Sequence, residues 1–453
     1  MELTGKKVLV FGAGISGIGA ADLLCRVQAL PLIYDGNEKL KEKEILGKLQ
    51  NPAKAAVILG ELPEKVLDDI ALAVLSPGVP TDLDEVKRIR EKNIPIWGEV
   101  ELAWQMGKGQ VLAITGTNGK TTTTALTGQI MKDYLPDVYI VGNIGTPYTS
   151  CALEMTEKTV TVAEISSFQL ETIQEFAPHV SAILNITEDH LNRHHTMEEY
   201  IRVKEMITMN QGENDVCVLN YEDEVLREFG NRQKDRMRIF FFSSLRELPE
   251  GIFLKDSRII LREGGKDIVV TDTKNLKILG RHNHENVMAA AAIARAAGVP
   301  VENIKKTVES FRAVPHRIEY VTEKNGVVYY NDSKGTNPDA AIKGIQAMDR
   351  PTLLIGGGYD KQSEYAPWIR SFDGKVRYLV LIGQTREKIQ EEARACGFTN
   401  TILADSLEEA VKICAQRANP GDAVLLSPAC ASWGQFDNYE QRGDKFKEYV
   451  NQL

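Results

Sequence analysis

Val111-Leu112-Ala113-Ile114-Thr115-Gly116-Thr117-Asn118-Gly119-Lys120-Thr121 decides the fold class of this chain. The apolar residues Val111 to Ile114 read as a buried strand. The glycines read as a tight turn, and Thr121 to Met131 as a helix. Strand, glycine-rich loop and helix in that order make a nucleotide-triphosphate site. Backbone N–H groups close around phosphate oxygens at the positive N-terminus of the new helix. Lys120 is placed to reach the terminal phosphates, and the Thr121 hydroxyl to bind Mg²⁺. The general pattern has glycine where this chain has Ile114, so the loop is a variant with Gly116-Thr117-Asn118-Gly119-Lys120-Thr121 as its core. A glycine turn with a chance lysine is the alternative, and the flanking pattern disfavours it.

Outward from that loop, strand-like and helix-like runs alternate almost throughout, at 7–11, 16–28, 31–34, 38–49, 72–75 and 82–92. Such alternation implies parallel sheets covered by helices, an α/β class. At 453 residues the chain is too long for one core. The strand leading into the phosphate loop needs its own sheet, which places one boundary near residue 99. From 238 to 272 the pattern turns to short β runs, and an alanine-rich helix follows from Val287 to Ala297. A third alternating block, with strands at 327–330, 352–355, 378–382 and 423–426, places the second boundary near 313.

Composition is that of a globular protein, 43% hydrophobic and 26% charged. The formal charge of −9 argues against general nucleic-acid or anionic-membrane binding. No apolar run approaches the ~18 residues that span a bilayer. The chain enters a strand at Lys7, so no signal peptide is expected. The six scattered cysteines contain no Cys-x-x-Cys pair and read as reduced thiols of a cytoplasmic protein.

Val8-Leu9-Val10-Phe11-Gly12-Ala13-Gly14-Ile15-Ser16-Gly17 fits a strand followed by G-x-G-x-x-G, and Asp35 closes the next strand 18 residues after Gly17. Alone, this suggests a dinucleotide fold with Asp35 on a ribose hydroxyl. The turn seats any pyrophosphate on a helix N-terminus. With a phosphate loop downstream, a nucleotide-sugar diphosphate stands ahead of NAD(P), and a turn that binds nothing stays open. Ser76-Pro77-Gly78 ends a later strand and is placed to line the same crevice.

In the central part, Thr161-Val162-Ala163-Glu164 puts an acid at a strand end, suited to Mg²⁺ beside a phosphate loop. The alternative is an exposed strand-end glutamate. Ala182 to His190 is another strand running into an acid-rich loop. There His190 is a candidate for a second metal, although a lone histidine is more often structural. Lys204 lies in a helical run from Glu198 to Met209, where a solvated charge is the default. Within His282-Asn283-His284-Glu285-Asn286, Asn283 or Asn286 is placed to cap the alanine-rich helix or to read an adenine edge. Zinc is disfavoured because no third ligand follows at metal-site spacing. Arg317, in Pro315-His316-Arg317, suits a phosphate or an interdomain ion pair. In the third block, Tyr330 to Pro338, Leu354 to Lys361 and Leu426 to Ser432 each end a strand in a polar loop. Strand ends of an open α/β sheet share one crevice, and these loops suit a small anionic substrate.

These segments, in this order, resemble the Mur ligases, the ATP-dependent amino-acid ligases of peptidoglycan synthesis. Gly116 to Thr121 is similar to their shared phosphate loop, which also occurs in folylpolyglutamate synthases. Asn331-Asp332-Ser333-Lys334-Gly335-Thr336-Asn337 looks like the D-glutamate-adding branch, as do Ser427-Pro428-Ala429-Cys430-Ala431-Ser432 and Pro315-His316-Arg317. The Asp-Asn-Pro-Arg run of the diaminopimelate-adding branch is absent. The chain departs from the family pattern at Asn192, where aspartate is common, and Gly358 to Gln362 is a variable stretch in the family.

The resemblance implies three α/β domains. These are a Rossmann-like UDP-sugar domain (1–99), a P-loop ATPase-like ATP domain (100–313) and a Rossmann-like amino-acid domain (314–453). It implies that Ile15, Ser16, Asp35, Gly36, Gly78 and Asn143 bind the UDP-sugar. ATP falls to Gly116, Thr117, Asn118, Gly119, Lys120, Thr121, Thr122, Asn283, Asn286, Arg317 and Asp332. Two Mg²⁺ are expected on Thr121, Glu164, His190 and Lys204, the last carbamylated. Lys120, Glu164, His190 and Lys204 then carry the catalysis. D-Glutamate falls to Lys334, Thr336, Lys361, Ser432 and Tyr439. The expected partners are UDP-MurNAc-L-Ala, D-glutamate and ATP, with no nucleic acid and no membrane, for a cytoplasmic monomer. The rival readings are a ligase for another amino acid, a nicotinamide dehydrogenase and an ATP-sensing regulator. The dehydrogenase leaves the phosphate loop unexplained.

Overall fold

A computed structural model describes residues 2–143, 146–278, 280–312 and 315–453, with Asn192 described by its backbone alone. The boundary expected at 313/314, and Ile144 and Gly145, lie outside the described residues. The chain forms two compact units, residues 1–271 with 286–307, and residues 272–285 with 308–453.

The first unit holds two sheets. Strands β1 (Lys7–Phe11), β2 (Leu30–Asp35), β3 (Ala56–Leu59), β4 (Ile70–Leu75) and β5 (Ile96–Gly98) pair in the order 3-2-1-4-5. All of those pairings are parallel. The strand order reverses at β1, between β2 and β4, so the ends of β1 and β4 open a crevice where ligands of such sheets bind. The second sheet contains β6 (Gln110–Thr115), β7 (Val138–Gly142), β8 (Val160–Glu164), β9 (Val180–Ile183), β10 (Val216–Asn220), β11 (Arg238–Ser243), β12 (Gly251–Lys255), β13 (Arg258–Glu263) and β14 (Lys266–Asp272). Its order is 14-13-12-11-10-9-6-8-7. The strands from β7 to β12 pair in parallel, and β12 and β13 turn antiparallel at one side.

The second unit holds β15 (Glu319–Lys324), β16 (Val327–Asn331), β17 (Thr352–Gly358), β18 (Val376–Gly383), β19 (Thr401–Leu403) and β20 (Ala423–Leu426), ordered 15-16-20-17-18-19. Only the edge pairing of β15 with β16 is antiparallel among those described. Leu354, Leu379 and Leu425 pack on one face of this sheet, and Leu353, Val380 and Val424 on the other. Alternate residues of one strand thus enter different cores, which is why such strands read as continuous apolar runs.

Several expected elements shift. The helical run at 38–49 is helical only over Glu42–Leu46. The helix expected to Met209 ends at Glu205 and continues as a short 3₁₀ turn, Met206–Thr208. The alanine-rich helix begins at Arg281, so Asn283 and Asn286 lie inside it and neither caps it. Strands β3, β5, β7, β10, β12, β15 and β19 were not anticipated; several are short or lie at sheet edges, and β12 opens at Gly251 in a left-handed conformation. No helix among the described residues is long and apolar enough to cross a membrane. The six cysteines are free thiols.

Candidate active site

The crevice of the first sheet is built around backbone that only glycine fits. Gly12 has φ +105°, and a Cβ on Gly17 would sit 1.8 Å from the Gly12 carbonyl oxygen. The helix Ile15–Arg26 therefore starts with its N-terminus open, without a side-chain cap. Ile15 at its first turn is 82% exposed, unusual for a large apolar residue. The Asp35 carboxylate accepts the Ala13 N–H (2.9 Å) and the Asn37 N–H (3.0 Å), tying the end of β2 to the glycine turn. Gly36 follows Asp35, and Gly78 faces open space. The carboxylate of the buried Glu99, near Ser16, accepts from Gln169 Nε2 at 2.7 Å. Burial raises the Glu99 carboxyl.

In the second sheet, β8, β6 and β9 are parallel neighbours, so Glu164, the phosphate loop and the 184–190 loop leave the sheet at one edge. Glu164 stands beside Ile114 in register. Its Oε1 accepts from Asn143 Nδ2 at 3.0 Å, and its buried Oε2 has no hydrogen-bond partner. A buried carboxylate oxygen without a donor is costly unless a cation completes it. Gly119 has φ +85°, and a Cβ there would meet Asn286 Oδ1 at 2.3 Å. The same Asn286 oxygen accepts from Thr123 Oγ1 at 3.3 Å. Thr117 Oγ1 lies 3.1 Å from the Tyr200 hydroxyl, and Asn118 N–H donates to Asn185 Oδ1 at 2.8 Å. Thr121 and Thr122 are buried in the first turn of the helix Lys120–Tyr134.

Lys120 Nζ donates to the carbonyls of Gly116 (2.8 Å) and Thr117 (2.9 Å). Lys204 departs from the solvated default. It is buried, donates to the same Gly116 carbonyl at 2.9 Å, and lies 4.7 Å over the Tyr200 ring. Burial, with the nearby Lys120 charge, lowers its pKa to about 7. His190 has φ +53° and takes its N–H to Asp189 Oδ1 at 2.9 Å, with its ring 4.9 Å from Phe168. Among the described residues, no group of three or more His, Cys, Asp or Glu side chains is arranged to hold a metal ion on its own.

In the second unit, β16, β20 and β17 are adjacent, and their loops leave one sheet edge as expected. Asp332 is buried; its Oδ2 accepts from Ser427 Oγ (2.7 Å) and its Oδ1 from the Ile318 N–H (3.3 Å). Burial raises this carboxyl to about 7, against the hydrogen bond from Ser427 and the charge of Arg317. Lys334 Nζ sits 5.6 Å over the Tyr439 ring. Thr336 turns back to the Lys334 carbonyl through its N–H (2.8 Å), and Ser432 is buried. Lys361 Nζ lies 4.8 Å over the Trp433 ring.

Sequence reading missed Arg442. This fully buried guanidinium donates to Ser333 Oγ (3.0 Å), the Ser333 carbonyl (2.8 Å) and the Cys430 carbonyl (3.1 Å), joining two of the loops. It lies in a charge-rich helical run, and nothing local marks it as buried. Arg193 was also missed. It pairs with Glu171 at 2.6 Å and donates to the Val79 carbonyl at 2.8 Å, one residue beyond Gly78.

Comparison with known proteins covers the whole chain. Residues 6–98 match the model for the Mur ligase MurD-like N-terminal domain. Residues 114–294 match the Mur ligase middle domain, and 316–430 the Mur ligase glutamate ligase domain. A UDP-N-acetylmuramoylalanine–D-glutamate ligase from Lachnoclostridium phytofermentans is 57% identical over 100% of this chain and 99% of its own. One from Lachnospira eligens is 54% identical over 100% of both. Among solved structures, MurF from Acinetobacter baumannii is similar with a TM-score of 0.62 at 17% identity, covering 98% of this chain and 93% of that one. The UDP-N-acetylmuramate-alanine ligase MurC from Thermotoga maritima gives 0.59 at 18%, covering 99% of each. At such identities the structures establish the shared fold alone.

Proposed function

This chain belongs to the Mur ligase family, and from that premise we propose that it joins D-glutamate to UDP-N-acetylmuramoyl-L-alanine, spending ATP, in peptidoglycan precursor synthesis. One observation carries the choice of amino acid. Relatives bearing the D-glutamate ligase name align end to end with this chain at 54% and 57% identity.

A carboxylate resists attack by an amine because its leaving group is oxide. Transfer of the ATP γ-phosphoryl group to the L-alanyl carboxylate forms a P–O bond, breaks the bond to the β-phosphate and releases ADP. The D-glutamate nitrogen then attacks the acyl carbon, inorganic phosphate leaves, and the nitrogen gives up its extra proton. In the first step Lys120 exchanges its two loop carbonyls for phosphate oxygens and neutralises charge moving onto ADP. Loop N–H groups between Gly116 and Thr122 cradle the phosphates, while those of Thr117 and Asn118 brace the loop against Asn185. Asn283, Asn286, Arg317 and Asp332 hold the nucleotide. Ile15, Ser16, Asp35, Gly36, Gly78 and Asn143 hold the UDP-sugar, supported by the open helix N-terminus behind Ile15. Lys334, Thr336, Lys361, Ser432 and Tyr439 receive D-glutamate.

The unpartnered Glu164 oxygen fits a hard cation. Magnesium characteristically takes one or two carboxylates, with waters and substrate phosphates completing its shell. That habit suits a site without a three-ligand protein cage. Thr121 and Glu164 would hold one Mg²⁺, and His190 with a modified Lys204 the second. Bound there, the ions supply charge neutralisation for phosphoryl transfer. Lys204 is suited to carbamylation because its pKa near 7 leaves a neutral amine at ordinary pH. That nitrogen bonds to the carbon of CO₂ and releases a proton to solvent, turning a cation into an oxygen donor. We assign the three functional parts to residues 1–99, 100–313 and 314–453, and the reaction to the cytoplasm.

Phosphate release is to be measured with ATP, Mg²⁺ and UDP-MurNAc-L-Ala against D-Glu, L-Glu, L-Ala, L-Lys and meso-diaminopimelate. The expected outcome is release with D-Glu alone, with matching amide product. Release with another amino acid instead overturns the proposed acceptor. Folded protein that binds ATP yet releases none with any of them returns the regulator reading.

A further inference from the structure

Trp433 and Tyr359 are large side chains of the second unit left open to solvent, 53% and 40% exposed, beside the loops that leave the third sheet. They do not lie apart. Their rings are 5.5 Å apart in an edge arrangement, and Lys361 Nζ is 4.8 Å over the Trp433 ring. The two loops carrying these residues are joined by backbone. The Tyr359 N–H donates to the Ala431 carbonyl at 2.9 Å, and the Gly357 N–H to the Pro428 carbonyl at 2.8 Å. The approach is so close that a Cβ on Gly358 would sit 2.3 Å from the Ala431 oxygen. The cluster is therefore anchored at its base.

The neighbouring acid is engaged elsewhere. Asp360 faces Lys388 at 3.4 Å and accepts the Gln362 N–H at 2.7 Å. Lys361 forms no ion pair among the described residues and rests on the indole face. The distinction matters for binding an anion. A carboxylate partner would fix the ammonium by neutralising it, and an incoming carboxylate would have to displace that partner. An aromatic face attracts the cation through its quadrupole and leaves the charge whole. It also narrows the rotamers of a long side chain, lowering the ordering cost on binding.

We propose that Trp433, backed by Tyr359, is a positioning residue that holds Lys361 ready for the second carboxylate of the amino-acid substrate. The proposal rests on the D-glutamate reading for its ligand. It explains why a large aromatic residue directly follows Ser432 and is left open to solvent.

The test uses the full chain. Phosphate release by the wild type with D-glutamate is measured first, and its absence would fail the D-glutamate reading itself. With turnover established, Trp433→Leu raises KM for D-glutamate about three- to fivefold, the range expected of an exposed cation–π contact. KM for ATP, KM for UDP-MurNAc-L-Ala and kcat stay unchanged. Trp433→Phe retains most of the wild-type KM. In a Lys361→Met background, Trp433→Leu adds no further change. D-Glutamate titration alters tryptophan emission in the wild type, and the change is lost in Trp433→Phe. An unchanged KM for D-glutamate in Trp433→Leu overturns the proposal. So does a rise of the same size with Lys361 already removed, or an equal rise in all three KM values.

Discussion

Two lysines donate to one carbonyl, that of Gly116, at 2.8 and 2.9 Å. Burial first, and the nearby Lys120 charge second, favour loss of a proton from Lys204. Lys204→Arg keeps a cation that does not lose its proton at working pH and does not take up CO₂. It is expected to abolish phosphate release while ADP binding, followed by calorimetry, persists. Lost binding would assign Lys204 to the nucleotide instead. Asp332 carries a pH signature of the opposite kind. Its carboxyl is raised from 3.8 to about 7, so between those values the folded chain holds a proton that the unfolded chain has released. Stability contributed by this group is complete below pH 3.8 and is lost as pH rises through about 7. Asp332→Asn removes the loss. The stability of the variant relative to wild type should climb between pH 4 and 8 in urea titrations, and a flat difference would refute the burial cause.

The helix Lys120–Tyr134 begins with Gly119 in a left-handed conformation and in close approach to Asn286. Gly119→Ala adds a strained backbone, about 1–2 kcal/mol, and a clash with the Asn286 amide. It should lower the urea midpoint and weaken ADP binding together; weakened stability with intact binding would mean the loop tolerates the shift. Elements of this kind were legible in sequence because their chemistry is local. A glycine turn after an apolar strand carries its own reason, and so do the polar loops after β16, β17 and β20. The start of the alanine-rich helix was not legible. Arg281 to Asn286 is polar and lacks apolar periodicity, so the helix was read from Val287. Lys204 and Arg442 escaped for another reason. Their partners lie 88 and 109 residues away, at Gly116 and Ser333, and no local pattern encodes such burial.

Across the whole molecule, most of the candidate groups gather at the ends of parallel strands in three separate sheets, with Lys204, Asn283, Asn286 and Tyr439 supplied by helices. On the proposed assignment, each substrate should protect the backbone around its own residues from amide exchange, most strongly at one sheet edge. UDP-MurNAc-L-Ala should slow residues 12–17 and 76–79, ADP residues 116–123, and D-glutamate residues 334–336 and 430–434. Protection by D-glutamate confined to the first sheet would contradict the assignment. The sheet count and the strand ends were readable because a strand buried on both faces is apolar throughout and stops abruptly at its polar loop. The antiparallel side of the second sheet was readable only in part, since short strands near turns carry little periodicity. The third sheet has a consequence for adaptation. Residues 334–336, 359–361 and 432–433 hang from a framework whose strands are paired within their own unit. On the proposed assignment, a library randomised at those positions should search acceptor chemistry as an interchangeable cassette, with the machinery that activates the donor inherited untouched.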